Sequence, residues 1–325
     1  KGTMFRIFGP PGTGKTTKLL NLVDKHLEAG VEPTNIAFLA FTRKAAEEAR
    51  ERAAARFNLD PKQDLFFFKT LHSLALAMTD IRTDQVMQPE HYRELGKSIG
   101  VNLGAAADNR FSDIPETQKS SDPILGLINL AILRKVPLRT QYNISQIDES
   151  WNVVKYVDEA LTKYKKSYTL YDFTDMLRVF AETGQSCCPR FAVTFLDEAQ
   201  DLSPLQWDIA HMLDRQSERM YCAGDDDQAI YRWAGADVDQ FIGLEGGSET
   251  LSQSYRVPQL PWEIAQNVAR RIHRRFPKTY KPRDERGMVR RISMVNELDM
   301  SEGSWLILAQ AAYLLQDVSS DLKAM

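Results

Sequence analysis

The 325-residue sequence has only three cysteines, Cys187, Cys188 and Cys222. None forms a C-x-x-C pair, and an odd count argues against a disulfide framework or a zinc site and for a reducing, cytoplasmic setting. No apolar run approaches the ~18 residues that a membrane helix needs. No charged segment followed by a short apolar one comes after Lys1, which argues against a signal peptide. Internal repeats and low-complexity tracts are absent. Excess charge of one sign is absent too. The net charge is −3, which taken alone argues against a nucleic-acid partner. What is present is a chain 43% hydrophobic and 26% charged, a balance that excludes general disorder. The length exceeds one ordinary domain of roughly 100–200 residues, so two or three units are expected.

Along the chain, Met4–Phe8 reads as a buried strand, followed by a glycine-rich turn and a helix to about Leu27. Ile36–Phe41 is a second apolar run, Lys44–Phe57 a charged helix and Leu65–Phe68 a third strand. This order predicts an α/β fold with a parallel sheet. From about Leu74 to Thr169 apolar residues recur at helical spacing (Leu125, Ile128, Ile132; Val153, Tyr156, Val157, Leu161), which predicts a mostly helical insertion. Asp108–Asp122 is polar and loop-like. Strand patterns return at Phe191–Leu196, Met220–Ala223, Met288–Val295 and Trp305–Ala309. The chain begins almost directly on a strand and stops at Met325 without a closing element, as a piece of a longer protein would.

Gly9-Pro10-Pro11-Gly12-Thr13-Gly14-Lys15-Thr16 fits G-x-x-x-x-G-K-[ST]. Such glycines let backbone N–H groups close around phosphate oxygens, and the following helix N-terminus adds partial positive charge. Lys15 would reach the β- and γ-phosphates of ATP, and the Thr16 hydroxyl would ligate Mg²⁺. A second Mg²⁺ contact requires an acid at the end of a neighbouring strand, and Asp197 fits it. Glu198 can then orient and deprotonate an attacking water. Asp201 reads as the cap of a helix starting near Pro204. The apolar strand Met220–Ala223 ends in Gly224-Asp225-Asp226-Asp227-Gln228-Ala229-Ile230-Tyr231-Arg232-Trp233. Gln228 can report the γ-phosphate, while Tyr231, Arg232 and Trp233 join aromatic and cationic groups of the kind that stack on unpaired bases. A simply buried Trp233 is the competing reading.

The ordered set resembles the UvrD/Rep/PcrA group of superfamily 1A DNA helicases. Gly9–Thr16 is similar to motif I, Phe38–Ala46 to Ia, Lys69–His72 to Ib, Asp197–Asp201 to II, Gly224–Trp233 to III, and Gln253-Ser254-Tyr255-Arg256 to IV. Tyr171–Leu177 is similar to the stretch that ends the family's helical insertion. The resemblance implies a RecA-like ATP-binding domain over residues 1–73 and 170–250, a helical insertion over 74–169, and the incomplete start of a second RecA-like domain over 251–325. It implies a DNA-dependent ATPase that moves 3′→5′ on single-stranded DNA or at a junction with duplex, in replication or repair. Gly12, Gly14, Lys15, Thr16 and Thr17 would bind nucleotide, with Tyr255 on the adenine and Arg256 on the γ-phosphate. Phe41, Tyr231 and Trp233 would contact bases, and Thr70 and His72 the DNA backbone. For His72 the residues alone favour a capping or core role. Motifs V and VI and an upstream glutamine motif are absent from this sequence. That leaves open a non-motor nucleotide-binding module, or an AAA+-type ATPase carrying the same phosphate loop.

The near-zero charge is a cancellation. Arg256–Arg291 holds eleven Lys/Arg and three acids, a net +8, leaving −11 on the remainder. The basic segment reads either as a DNA-facing surface or as a face solvated or covered by other parts of the chain.

Overall fold

The computed structural model describes residues 4–104, 122–294, 297–309, 314–316 and 318–319. Six parallel strands form one sheet, β1 (Phe5–Phe8), β2 (Ile36–Ala40), β3 (Phe68–Thr70), β4 (Phe191–Leu196), β5 (Ser217–Gly224) and β6 (Ser248–Thr250), in the order β3-β2-β4-β5-β1-β6. A parallel sheet is covered on both faces, so its strands read as continuous apolar runs rather than alternations. Every residue of β2, Ile-Ala-Phe-Leu-Ala, is buried. Phe8, Leu39, Leu196 and Cys222 point into one core, with α9 (Pro204–Arg215) and α8 (Phe173–Cys187). Ile7, Phe38, Phe195 and Ala223 point into the other, with α1 (Lys15–Glu28) and α2 (Arg43–Phe57).

Register is what positions the site. Leu39 lies beside Leu196, Leu196 beside Cys222, and Phe8 beside Gly224. The residues following β1, β2, β4 and β5 therefore emerge in one row at the carboxyl edge of the sheet, where α/β folds bind ligands.

The chain leaves this sheet after β3 through α3 (Leu71–Met78) and returns at β4. Between them lie α4 (Pro89–Ile99), α5 (Pro123–Arg134), α6 (Leu138–Ile144), α7 (Trp151–Tyr168) and α8. The insertion has its own core of Leu95, Leu125, Ile128, Val154, Val157 and Leu161. Its base is pinned where α7 meets α8: Lys165 Nζ contacts Asp172 at 2.7 Å and Asp175 at 2.6 Å. Asp172 also caps α8. Most of the polar stretch 108–122 lies outside the described residues; Asp122 itself caps α5 by accepting from Ile124 and Leu125 N–H.

Several details depart from the sequence expectations. Strand β3 starts at Phe68, and Leu65–Phe67 form a turn. Ser248–Thr250, too polar to signal a strand, adds to the sheet edge beside β1. Ser203 rather than Asp201 caps α9: its hydroxyl accepts from Gln206 N–H, and the Gln206 side chain answers the Ser203 N–H at 2.9 Å. Residues 288–294 and 305–309 form no strand, and Met288, Leu306 and Leu308 are exposed; Val295 lies outside the described residues. A strand needs a neighbour to satisfy its backbone. Past β6 the described residues offer a single bridge, between Gln253 and Lys281. After α10 (Val238–Gly243) and β6, α11 (Gln259–Ala269) buries none of its residues fully.

Candidate nucleotide and nucleic-acid site

The turn after β1 wraps into α1 with Gly12 and Gly14 at φ of 71° and 80°, a region costly for other residues. Gly9 is required for space: a Cβ there would lie 2.5 Å from the Lys15 Cβ. Lys15 and Thr16 open α1, and Thr17 follows on its exposed side. From β4, Asp197 accepts a hydrogen bond from the Thr16 hydroxyl at 2.9 Å, and Lys15 Nζ lies 3.9 Å from it. Lys15 also donates to Glu198. The structure thus brings together Lys15, Thr16, Asp197 and Glu198 from segments more than 180 residues apart.

Burial works against the Lys15 charge, but the Asp197 and Glu198 carboxylates hold its pKa above the ordinary lysine value. Burial pushes the Asp197 carboxyl up, opposed by Lys15. Glu198 is half-open to solvent and sits at φ 54°, a left-handed conformation that non-glycine residues adopt at a cost. Strain at this one position turns the chain sharply off the strand end.

Gln200, which the sequence reading did not single out, joins the two carboxylate segments. Its Nε2 donates to Glu198 Oε2 at 2.8 Å and to Asp201 at 3.1 Å; its Oε1 accepts from Asp225 N–H at 3.1 Å. Nothing in residue type or spacing marks it, because the signal is burial of an amide between two loops. Asp201 is buried beside it, and burial followed by the Glu198 charge pushes its pKa up to about 7. Gln228 does not touch Lys15, Thr16, Asp197 or Glu198. It donates to Asp225 Oδ2 at 2.6 Å and so joins the same network through Asp225 and Gln200.

The segment 253–256 lies on the phosphate loop. Tyr255 N–H donates to the Gly12 carbonyl at 2.8 Å, and the Ser254 hydroxyl to that of Pro11 at 2.7 Å. The Tyr255 ring is 74% exposed, and Arg256 is exposed beside the loop.

On the neighbouring surface Phe41 and Tyr231 rings lie 5.8 Å apart, and Tyr231 and Trp233 6.4 Å apart. Trp233 is 65% exposed, which excludes the simply buried reading. Thr70 caps α3, accepting from Ser73 N–H at 3.2 Å. The His72 ring stands edge-on to Phe173, and its Nε2 is buried without a partner.

Burial, aided by Arg43, lowers the His72 pKa from 6.5 to about 4. A depressed folded-state pKa means stability present above pH 6.5 and lost as pH falls through about 4. Wild-type protein should lose up to about 3 kcal/mol by this route between pH 7 and pH 4. His72→Phe should show a correspondingly flatter dependence in urea titrations; equal slopes for the two proteins would contradict it.

The fold and the site define a RecA-like P-loop domain: a parallel sheet carrying a phosphate loop after one strand and paired carboxylates after another. The UvrD/REP helicase N-terminal domain matches residues 2–246, and the chain belongs to that family. It is 27% identical over 290 residues to the ATP-dependent DNA helicase PcrA of Leuconostoc citreum, covering 84% of this chain and 38% of that protein. It is 26% identical over 301 residues to PcrA of Bacillus subtilis, covering 85% and 39%. To the ATP-dependent DNA helicase Rep of Buchnera aphidicola it is 26% identical over 253 residues, covering 74% and 38%. The chain thus spans about two fifths of the length of these relatives. Among the described residues no helix is long and apolar enough to cross a membrane, and the three cysteines are free thiols.

Proposed function

We propose that this chain is the ATP-hydrolysing part of a DNA helicase that moves along single-stranded DNA in the 3′→5′ direction. The observation that carries the reading is the hydrogen-bonded path from Glu198 through Gln200 and Asp225 to the loop bearing Gln228 and the aromatic pair Tyr231 and Trp233. It ties a phosphate site to a surface suited to unpaired bases. In this reading residues 1–73 with 170–250 are the first motor lobe, 74–169 its insertion, and 251–325 the opening of a second lobe.

The residues present fit Mg·ATP. The left-handed glycines leave a cradle that side chains would fill. Thr16 and Asp197 offer a hydroxyl and a carboxylate side by side, the hard oxygen donors Mg²⁺ takes alongside phosphate oxygens. Bound there, Mg²⁺ would neutralise charge developing on the β- and γ-phosphates. Lys15 exchanges its Glu198 partner for a phosphate oxygen, which frees Glu198 to accept a proton from the attacking water. Tyr255, held over the loop by its backbone, stacks on the adenine, and Arg256 contacts the γ-phosphate. Phe41, Tyr231 and Trp233 stack on bases; Thr70 and His72 line the strand's path at the start of α3.

Full-length protein should hydrolyse ATP faster when single-stranded DNA is added, in a steady-state phosphate-release assay. An unaltered rate would sink the motor reading and favour a nucleotide-switched binding module. Trp233→Ala should weaken single-strand binding by ~1–3 kcal/mol, read by fluorescence anisotropy, the cost of one lost stacking platform. Undiminished affinity would remove Trp233 from the DNA site.

A further inference from the structure

Three consecutive aspartates follow β5. Their side chains are 0%, 0% and 14% exposed at Asp225, Asp226 and Asp227. Buried carboxylates in a row repel one another and require compensation. It comes from the basic segment. Lys278, its side chain 1% exposed, places Nζ 3.3 Å from Asp225, 2.7 Å from Asp226 and 2.9 Å from Asp227. Arg275 makes a forked pair with Asp227 at 2.9 and 2.6 Å, and Phe276 N–H donates to Asp226 at 2.7 Å. The Phe276 ring stacks on Phe8 with centroids 3.9 Å apart, and Phe8 is the last residue before the phosphate loop. Two of the eleven cations of the basic segment are therefore spent against buried aspartates rather than on an open surface. A third, Arg274, is drawn to Asp239 at 3.3 Å.

We infer that Lys278 is a positioning residue for ATP hydrolysis: through Asp225 it fixes both Gln228 and the Gln200–Glu198 contact. Asp225 Oδ1 faces Lys278, Oδ2 accepts from Gln228, and the backbone N–H holds Gln200 Oε1. Asp225 Oδ1 also accepts from Asp227 N–H at 3.2 Å, and its carbonyl accepts from Gln228 N–H at 3.0 Å. Losing Lys278 would remove the cation paired with Asp225 at 3.3 Å, at the node that aligns the base. The same loop runs on to Tyr231 three residues past Gln228, so a shift of residues 275–278 moves the nucleotide sensor and the base-stacking ring together. The inference rests on the proposed ATPase but names a part of it that lies outside the phosphate and carboxylate segments.

The test uses full-length protein and compares wild type with Lys278→Met, Lys278→Arg and Arg275→Gln. For Lys278→Met, kcat for ATP should fall at least about tenfold while KM for ATP stays within about threefold, because the phosphate loop itself is untouched. Lys278→Arg should restore part of kcat, and Arg275→Gln, which keeps Lys278, should lower kcat by a smaller factor. Two results overturn the inference: kcat unchanged in folded Lys278→Met, or losses in every variant that simply track the folded fraction measured by circular dichroism. If Lys278→Met does not fold, Arg275→Gln decides, and an unchanged kcat there also overturns it. Wild-type ATPase indifferent to single-stranded DNA would refute the motor reading alone, since the kcat and KM comparison is then made on the basal reaction.

Discussion

Glu198→Gln abolishes turnover and leaves nucleotide binding in place. The expected loss in kcat is ~10²–10⁴-fold, the range for removing a positioned general base. The amide is nearly isosteric, so Gln200 Nε2, now 2.8 Å from Glu198 Oε2, keeps an oxygen to donate to. Lys15 is also relieved of one of its two carboxylate partners. ATP affinity should therefore hold or rise, since Lys15 no longer has to be detached from a full negative charge. Equilibrium binding of a fluorescent ATP analogue and single-turnover hydrolysis measure the two halves. Turnover near that of wild type would remove Glu198 as the base.

The second large effect is expected at Gly12. Its φ of 71° costs a substituted residue ~1–3 kcal/mol. The added Cβ would also stand 2.4 Å from the Arg256 Cβ and 2.9 Å from the Ser254 hydroxyl. Those atoms belong to the segment that closes over the loop through the Tyr255 N–H bond to the Gly12 carbonyl. Gly12→Ala must therefore either reshape the phosphate cradle or push Tyr255 and Arg256 away from it. ATP should bind at least tenfold more weakly, since 1.4 kcal/mol is already a factor of ten. The fold should survive, because the loop lies at the sheet edge rather than in either core. Calorimetric titration with ATP and a thermal melt check both statements, and tight binding by a well-folded Gly12→Ala would contradict them.

How much of this was legible in the sequence depends on how local the signal is. Strands β1, β2 and β4 and the Met220–Ala223 part of β5 announce themselves as apolar runs because both faces of a parallel sheet are covered, whereas the polar Ser217–Arg219 that opens β5 gave no signal. The phosphate loop and the Asp197–Glu198 pair are equally local, and the structure brings them together. Ser248–Thr250 was invisible because an edge strand needs only backbone pairing. Met288–Met294 and Trp305–Ala309 misled for the opposite reason: an apolar pattern does not make a strand where no neighbour supplies hydrogen bonds. Gln200 and Lys278 were illegible because their meaning lies entirely in what folds against them. The basic run Arg256–Arg291 left two readings open, a DNA-facing surface or a solvated or covered face, and its members divide between solvent and the buried aspartates.

The chain departs for the helical insertion through α3 and comes back through α8, a neck of two packed helices in which the His72 ring stands edge-on to Phe173. The insertion has a core of its own, and Leu133 of α5 also packs into the sheet's core. Its length can grow or shrink at a closure cost that rises only logarithmically, leaving the row of strand ends undisturbed. The same neck makes it a handle. Load on the helices reaches the sheet through α3 and α8, and across two lateral ties, Arg134 to the carbonyl of Arg232 at 2.9 Å and Lys135 to Asp208. The first of these ends beside Trp233 and so joins the insertion to the aromatic surface.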